Sequence, residues 1–379
     1  MKILITGSNG FIGKNLQVNL LAQRSDVQLL LFDQLQTLDD LREYCAQADL
    51  IFHLAGANRP DDISEFKRSN TCLTQILLEM LLHDQKATPV VFTSSTQAAQ
   101  DNPYGKSKHD AEQLVYDYAN KTNASVYVYR LANVFGKWCK PNYNSVVATF
   151  CYNAAHGIPL RVEDPEKELT LLYIDDIIHE FLKIVDGVLG QNAYSPPQND
   201  QNFLEVTPTY KITLGELADQ IKSFKNSRDM LTIPQDMSDP LAKKLFATFM
   251  SYTANDDMAV SVDMKWDDRG FFAELMKSPH FGQISISRTK PGIKRGDHWH
   301  NTKAEKFIVV EGSALIQMRK IGTEEIMEYP VSSDEIKVLD MPPGHTHNII
   351  NTGNRDVLTI FWTGEIFDPK DPDTIFESV

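Results

Sequence analysis

Two groups of residues in this chain have the types and spacing to do chemistry. The first is Tyr104-Gly105-Lys106-Ser107-Lys108. A tyrosine and a lysine four positions apart share one face of a helix. When hydride reaches a carbonyl carbon, a proton must reach its oxygen. A tyrosine supplies that proton if a nearby ammonium lowers its pKa. The second group is His298-Trp299-His300, followed by Glu305 and, downstream, by His347. Positions i and i+2 of a strand face the same way, so His298 and His300 point together. With Glu305 and His347 they offer three imidazoles and one carboxylate, a donor set that suits zinc, nickel, manganese or iron. Tyr-x-x-x-Lys is common by chance, and buried histidines also occur in metal-free cores. The weight of both groups therefore comes from the elements that hold them.

Up to about Gly190, short apolar runs alternate with helical patterns. Lys2–Thr6, Val27–Phe32, Leu50–Leu54, Pro89–Thr93 and Ser125–Arg130 read as strands; Gly13–Gln23, Leu38–Ala48, Thr71–His83 and Lys106–Thr122 read as helices. That alternation means βαβ units and a parallel sheet. Between the first strand and first helix stands Gly7-Ser8-Asn9-Gly10-Phe11-Ile12-Gly13. Its glycines allow a tight turn, close approach of backbone to a pyrophosphate, and close packing of helix on strand. The helix N-terminus then faces the phosphates. Asp33 ends the second strand, where an acidic residue bonds the adenosine ribose 2′-hydroxyl and disfavours a 2′-phosphate. Leu54, Ala55 and Gly56 close the third strand and let its backbone approach the cofactor, with His53 read as structural. The fourth strand runs into Thr93-Ser94-Ser95-Thr96, hydroxyls suited to holding a substrate carbonyl.

Gly190–Pro208 is rich in Asn, Gln and Pro and reads as a loop. Ile212–Lys225 reads as a helix with Thr213 as its N-cap, and short helices are expected around Pro240–Tyr252. From Asp263 the chain breaks into short runs separated by Gly, Pro, Asn and Asp, the pattern of an all-β barrel or sandwich. The expected domains are 1–250 and 251–379. The net charge of −14 argues against a nucleic acid or an anionic membrane surface. It leaves a small anionic ligand open, since backbone dipoles bind phosphate. No stretch reaches bilayer length, and Met1–Gly7 is too short for a signal peptide. The expected location is the cytoplasm. The cysteines Cys45, Cys72, Cys139 and Cys151 have no paired spacing and read as reduced thiols.

Taken together, the glycine loop, the serines and Tyr104–Lys108 resemble the extended short-chain dehydrogenase/reductase family. The resemblance continues through Arg130-Leu131-Ala132-Asn133-Val134-Phe135-Gly136, Tyr173-Ile174-Asp175-Asp176 and Thr213-Leu214-Gly215-Glu216-Leu217. It implies a Rossmann-type α/β domain in which Tyr104 is the proton donor and Lys108 its partner. Ser95 polarises the carbonyl, with Ser94 as the fallback. It also implies that Asn133 contacts substrate. Lys137, Lys140, Asn142 and Tyr143 are candidates for a nucleotide-sugar pocket, and Asp175 and Asp176 read as structural. Gly292 through Gly312 and Pro342-x-Gly344-x-x-His347-x-x-x-Asn351 match the two motifs of the cupin family. That implies a metal-binding all-β barrel with His298, His300, Glu305 and His347 as ligands, zinc foremost. Asp267–Glu274 and Lys294–His298 are similar to cupin-type epimerases that invert 4-keto-6-deoxy nucleotide sugars. There an arginine helps hold the diphosphate, which makes Arg269 the candidate. The histidine base of those enzymes is not free here if His298 ligates metal.

Both halves together resemble a family of bifunctional capsule-synthesis enzymes that join an extended reductase to a zinc cupin. The resemblance implies a UDP-2-acetamido-2,6-dideoxy-4-hexulose substrate, epimerised at C3 and reduced at C4. The product would be UDP-2-acetamido-2,6-dideoxy-L-talose, a precursor of N-acetyl-L-fucosamine. It implies NADPH, whereas Asp33 points to NADH. Homodimerisation is expected from both families. The rival readings are a reductase whose cupin serves only dimerisation or sugar binding, a cupin oxygenase, and a 4-epimerase retaining NAD.

Overall fold

The computed structural model describes residues 1–60, 62–190, 203–234 and 237–379. Most of the stretch read as a loop at Gly190–Pro208 lies outside the described residues. The chain divides into two compact units, one of residues 1–222 and 243–253, the other of 223–242 and 254–379.

In the first unit, β1 (Lys2–Thr6), β2 (Gln28–Phe32), β3 (Leu50–His53), β4 (Val90–Ser95) and β5 (Val126–Leu131) form one sheet in the order β2-β1-β3-β4-β5. Every pairing in it is parallel. A parallel sheet covered on both faces needs apolar residues at every position rather than at alternate ones. Ile3, Leu4 and Ile5 in β1, and Leu50, Ile51 and Phe52 in β3, are fully buried. On one face, Leu16 and Leu20 of helix Phe11–Gln23 and Ile177 and Phe181 of helix Ile174–Val188 pack on Ile3, Ile5 and Phe52. On the other, Leu41, Leu77, Leu81 and Val115 pack on Leu4, Ile51 and Val90. The strand order reverses between β1 and β3, so a crevice opens at their carboxyl ends.

A second, small sheet consists of β6 (Asn133–Phe135), β7 (Glu168–Tyr173) and β8 (Tyr210–Thr213). Thr213 caps helix Leu214–Asp229 as its sequence predicts: Thr213 Oγ1 accepts the Glu216 N–H at 3.2 Å and Glu216 Oε2 accepts the Thr213 N–H at 2.9 Å. The helix that carries Tyr104 starts earlier than its apolar pattern indicates, at Pro103, and runs to Thr122. Asn102 Oδ1 accepts the Gly105 N–H at 2.8 Å, and proline suits the first helical position. Tyr104 therefore sits in a first turn rather than before the helix. A single helix, Pro240–Met250, takes the place of the short helices expected there.

The named strands of the second unit pair antiparallel throughout. Its strands are β9 (Met264–Asp267), β10 (Gly270–Ser278), β11 (Gly282–Thr289), β12 (Lys294–Trp299), β13 (Glu305–Glu311), β14 (Ser313–Lys320), β15 (Ile326–Ser332), β16 (Val338–Met341), β17 (His345–Asn351), β18 (Val357–Thr363) and β19 (Ile375–Phe376). They form two sheets, β16-β13-β18-β11-β10-β9 and β15-β14-β17-β12-β19. Phe307, Val309, Ile316, Met318, Met341 and Ile349 from both sheets make one core.

Candidate functional site

The glycine loop sits at the β1–β3 crevice. Gly7 has φ of +68°, and a Cβ on it would lie 2.7 Å from the Ala55 amide nitrogen. A Cβ on Gly13 would lie 2.3 Å from the Gly7 carbonyl oxygen. Close packing of turn, helix and third strand thus excludes side chains at both. Gly10 stands at the N-cap of the helix that opens with Phe11, Ile12 and Gly13. Asp33 reaches back to this loop, its Oδ2 accepting the Asn9 N–H at 2.7 Å. The Leu54 N–H donates to the Thr6 carbonyl, and Ala55 and Gly56 follow at the crevice floor. His53 is buried between two hydroxyls, with Nδ1 2.7 Å from Thr6 Oγ1 and Nε2 2.8 Å from Thr74 Oγ1. Burial, with Lys108 nearby, pushes its pKa down to about 3, so it is a neutral strut.

Tyr104 lies beside the Ser95 side chain at the end of β4, close enough for the serine to influence its acidity. Its ring packs on Phe66, centroids 5.6 Å apart. Ser94 faces the other way and donates to buried Glu112 at 2.5 Å. Glu112 in turn receives Nε and Nη2 of Arg130 at 2.9 and 2.7 Å. Lys108 is buried, donates to the Thr93 carbonyl at 3.0 Å and lies 5.1 Å from the Phe92 ring centre. Burial pushes its pKa down to about 8, against an opposing pull from Glu112. The phenol differs from the sequence expectation. Burial raises the Tyr104 pKa above the ordinary value, Ser95 works against that rise, and Tyr143 adds to it. Desolvation, rather than a neighbouring ammonium, sets its acidity here.

Glu112 and Asn70 carry no signal in the sequence. Asn70 lies in a π-helical turn, Lys67–Cys72, a departure that concentrates at functional sites. Its Nδ2 donates to the Ala57 carbonyl at 3.1 Å and to Ser107 Oγ at 2.9 Å. A Cβ on Gly56 would lie 2.6 Å from Asn70 Oδ1 and 3.2 Å from Lys108 Nζ. Asn70 thus ties the crevice floor to the Tyr104 helix. Of the proposed sugar contacts, Tyr143 is close enough to influence Tyr104. Asn142 is exposed on the same loop, its amide donating to Thr149 Oγ1 at 3.0 Å. Asn133 is exposed on β6 and donates to the Thr170 carbonyl at 3.0 Å. Asp175 and Asp176 pair with Lys137 at 2.5 Å and Lys244 at 2.6 Å.

In the second unit, His298, His300, Glu305 and His347 converge, with one potential ligand atom of each lying within 4.8 Å of the others. Glu305 Oε2 is 3.0 Å from His347 Nε2 and 3.3 Å from His300 Nε2. Nε2 of His300 is buried without a hydrogen-bond partner. Burial would push the Glu305 carboxyl up, but the His300 and His347 rings beside it outweigh that and pull its pKa down to about 2. Burial pushes His298 down to about 4, with His347 adding to the effect and Glu305 opposing it. An ionised carboxylate among imidazole nitrogens at this spacing fits a divalent ion at ligand bonds of about 2.0–2.2 Å. His298, His300 and Glu305 of the cluster line a cavity of about 320 Å³ with Gln283, Ser285, Ser287, Arg295 and Lys265. Arg269 lies in the turn before β10, paired with Asp267 at 2.6 Å, and is not among the cavity's lining residues. Arg295 reaches the same Asp267 at 3.3 Å.

A dinucleotide crevice with a serine–tyrosine–lysine group, followed by an antiparallel domain with a His/Glu cluster, defines the class. The chain belongs to the NAD dependent epimerase/dehydratase family, matched over residues 3–194, and carries a polysaccharide biosynthesis C-terminal domain, matched over 265–375. Across its full length it is similar to the capsular polysaccharide assembling protein CapF from Staphylococcus aureus, whose crystal structure matches with a TM-score of 0.92 and 43% identity over 100% of both chains. It is 41% identical to the UDP-2-acetamido-2,6-beta-L-arabino-hexul-4-ose reductase of Pseudomonas aeruginosa, over 100% of this chain and 99% of that one. The spore coat polysaccharide biosynthesis protein SpsL of Bacillus subtilis is 29% identical over 28% of this chain and 78% of its own. Among the described residues no helix is long and apolar enough to cross a membrane.

Proposed function

We propose that this chain acts twice on one UDP-linked keto sugar during synthesis of a bacterial surface polysaccharide. The second unit epimerises UDP-2-acetamido-2,6-dideoxy-4-hexulose at C3. The first reduces the C4 ketone with NAD(P)H to give UDP-2-acetamido-2,6-dideoxy-L-talose. The observation that carries the reductase reading is Tyr104 set beside Ser95 at the end of β4, on the helix that also carries buried Lys108. The P. aeruginosa relative is named for reduction of a hexulose of this kind.

The nicotinamide, bound at the β1–β3 crevice, supplies the hydride. Tyr104 donates the proton to the C4 oxygen while Ser95 hydrogen-bonds that oxygen; the phenolate left behind, with Lys108 one helical turn on as its ammonium partner, regains a proton from water as product leaves. A high phenol pKa keeps Tyr104 protonated at neutral pH, the state a general acid needs. Asp33 favours NADH and the resemblance favours NADPH, so both belong in the assay. In the second unit, His298, His300, Glu305 and His347 would hold a divalent metal, zinc foremost for this donor set. Such an ion supplies Lewis-acid polarisation of the C4 oxygen, which acidifies the hydrogen at C3. Arg295 and Lys265 in the cavity, with Arg269 joined to Arg295 through Asp267, offer charge to the diphosphate. Gln283, Ser285 and Ser287 offer neutral hydrogen bonds to the sugar.

Tyr104→Phe tests the reductase. Cofactor oxidation with the keto sugar should fall by about 10²–10⁴-fold, the usual contribution of a positioned proton donor. Turnover at the wild-type rate would remove Tyr104 from the chemistry.

A further inference from the structure

One carboxylate closes the turn between His300 and Glu305. Asp373 Oδ1 accepts the backbone N–H and the side-chain amide of Asn301, both at 2.9 Å. Oδ2 accepts the Thr302 N–H at 2.9 Å, the Thr302 hydroxyl at 3.1 Å and the Lys303 N–H at 3.1 Å. The carbonyl oxygen of the same residue lies 2.5 Å from His300 Nδ1. A carbonyl only accepts, so Nδ1 carries the hydrogen and Nε2 is left bare toward the cluster. Asp373 holds φ of +39°, a strained value that persists only where surrounding contacts over-determine it.

The neighbours of Asp373 act in the same place. The Pro372 carbonyl accepts Lys303 Nζ at 2.6 Å. β19 pairs with β12 so that Phe376 stands opposite His298 and Ile375 opposite Trp299. The Glu377 N–H donates to the Asp297 carbonyl at 3.0 Å, and its own carbonyl accepts the Thr346 hydroxyl. One short segment thus touches the ring of His300 and pairs with His298. It also holds a residue next to His347 and the turn that delivers Glu305. Thr374 lines the cavity, so the same stretch also contributes to its wall.

We infer that segment 372–377 is a clasp on the metal centre, with Asp373 as its positioning residue, and that metal occupancy and clasp closure are thermodynamically linked. The inference rests on the reading of the His/Glu cluster as a metal site. Groups that hydrogen-bond a ligating histidine change metal affinity by about 10–100-fold when removed; the Asp373 carbonyl is such a group, and the hydrogen bonds of its carboxylate to Asn301, Thr302 and Lys303 hold it in place. Linkage is reciprocal: whatever factor the closed clasp adds to metal affinity, bound metal adds to clasp closure.

The test uses the full chain and zinc alone. Zinc affinity is read by competition with a chromophoric chelator for wild type and Asp373→Ala, and amide exchange in 372–377 is followed in wild type with and without zinc. The expected result is affinity weakened by about tenfold or more in the variant, and slower exchange in the segment when wild type is zinc-loaded. Equal zinc affinity in the two proteins, or exchange in the segment that zinc leaves unchanged, overturns the clasp. Should Asp373→Ala fail to fold, the exchange measurement on wild type decides alone. Wild type that takes up no zinc would overturn the metal reading itself, and the clasp with it.

Discussion

At the end of β4 two adjacent serines do different work, because a strand turns successive side chains to opposite faces. Ser95 meets Tyr104; Ser94 meets Glu112, which is clamped by Arg130. Ser95→Ala should lower reductase turnover with little change in stability. Glu112→Gln should instead destabilise the first unit by about 3–5 kcal/mol, the usual cost of leaving one member of a buried pair alone. Chemical denaturation alongside steady-state rates separates the two effects. Lys108 gives a pH-dependent case. Its folded pKa of about 8 lies below its ordinary 10.5. The folded protein therefore holds a penalised ammonium below pH 8, and the penalty, about 3 kcal/mol at 1.36 kcal/mol per unit, is lost as pH rises toward 10.5. Lys108→Met should abolish reduction while raising the denaturation midpoint at pH 7 more than at pH 10. Tyr104, Ser95 and the four cluster residues stood out as candidates because the chemistry proposed for them demands particular residue types at particular spacings. Asn70, Glu112 and Asp373 did not. Their roles come from what lies across the fold from them, which no local spacing encodes.

The elements themselves follow local rules closely. Continuous apolar runs gave the buried parallel strands, and the Thr213–Glu216 pair gave a helix start. The glycine loop is specified down to single atoms: Gly13→Ala would force a methyl against the Gly7 carbonyl. That variant should lose nicotinamide cofactor binding, measured by fluorescence titration, while the second unit's metal uptake stays as in wild type. Helix boundaries were less legible, since Asn102 and Pro103 extend the Tyr104 helix beyond its apolar pattern. The register of β12 was legible only in part. His298 and His300 share a face as alternation requires, but a bulge at Gly296–His298, with Asp297 at φ of +61°, sets how they meet β17. A bulge depends on the partner strand, so a single strand's pattern does not reveal it.

For the whole molecule, the proposed function places one chemistry in each of two units, each with its own core and its own candidate site. The change of pattern near Asp263 exposed this organisation in the sequence. Assignment of residues 223–253 between the units was not legible, because helices there read alike whichever core they serve. Two separable sites predict separable losses. A chelator should stop the C3 step while leaving reduction of an already epimerised ketone intact; Tyr104→Phe should do the reverse. The most direct measurement is proton NMR of the full chain with UDP-2-acetamido-2,6-dideoxy-4-hexulose in deuterated water, first without and then with NAD(P)H. The account predicts metal-dependent deuteration at C3 before any cofactor is added, followed by reduction at C4. Reduction without C3 exchange would contradict it and leave the second unit a binding or dimerisation module.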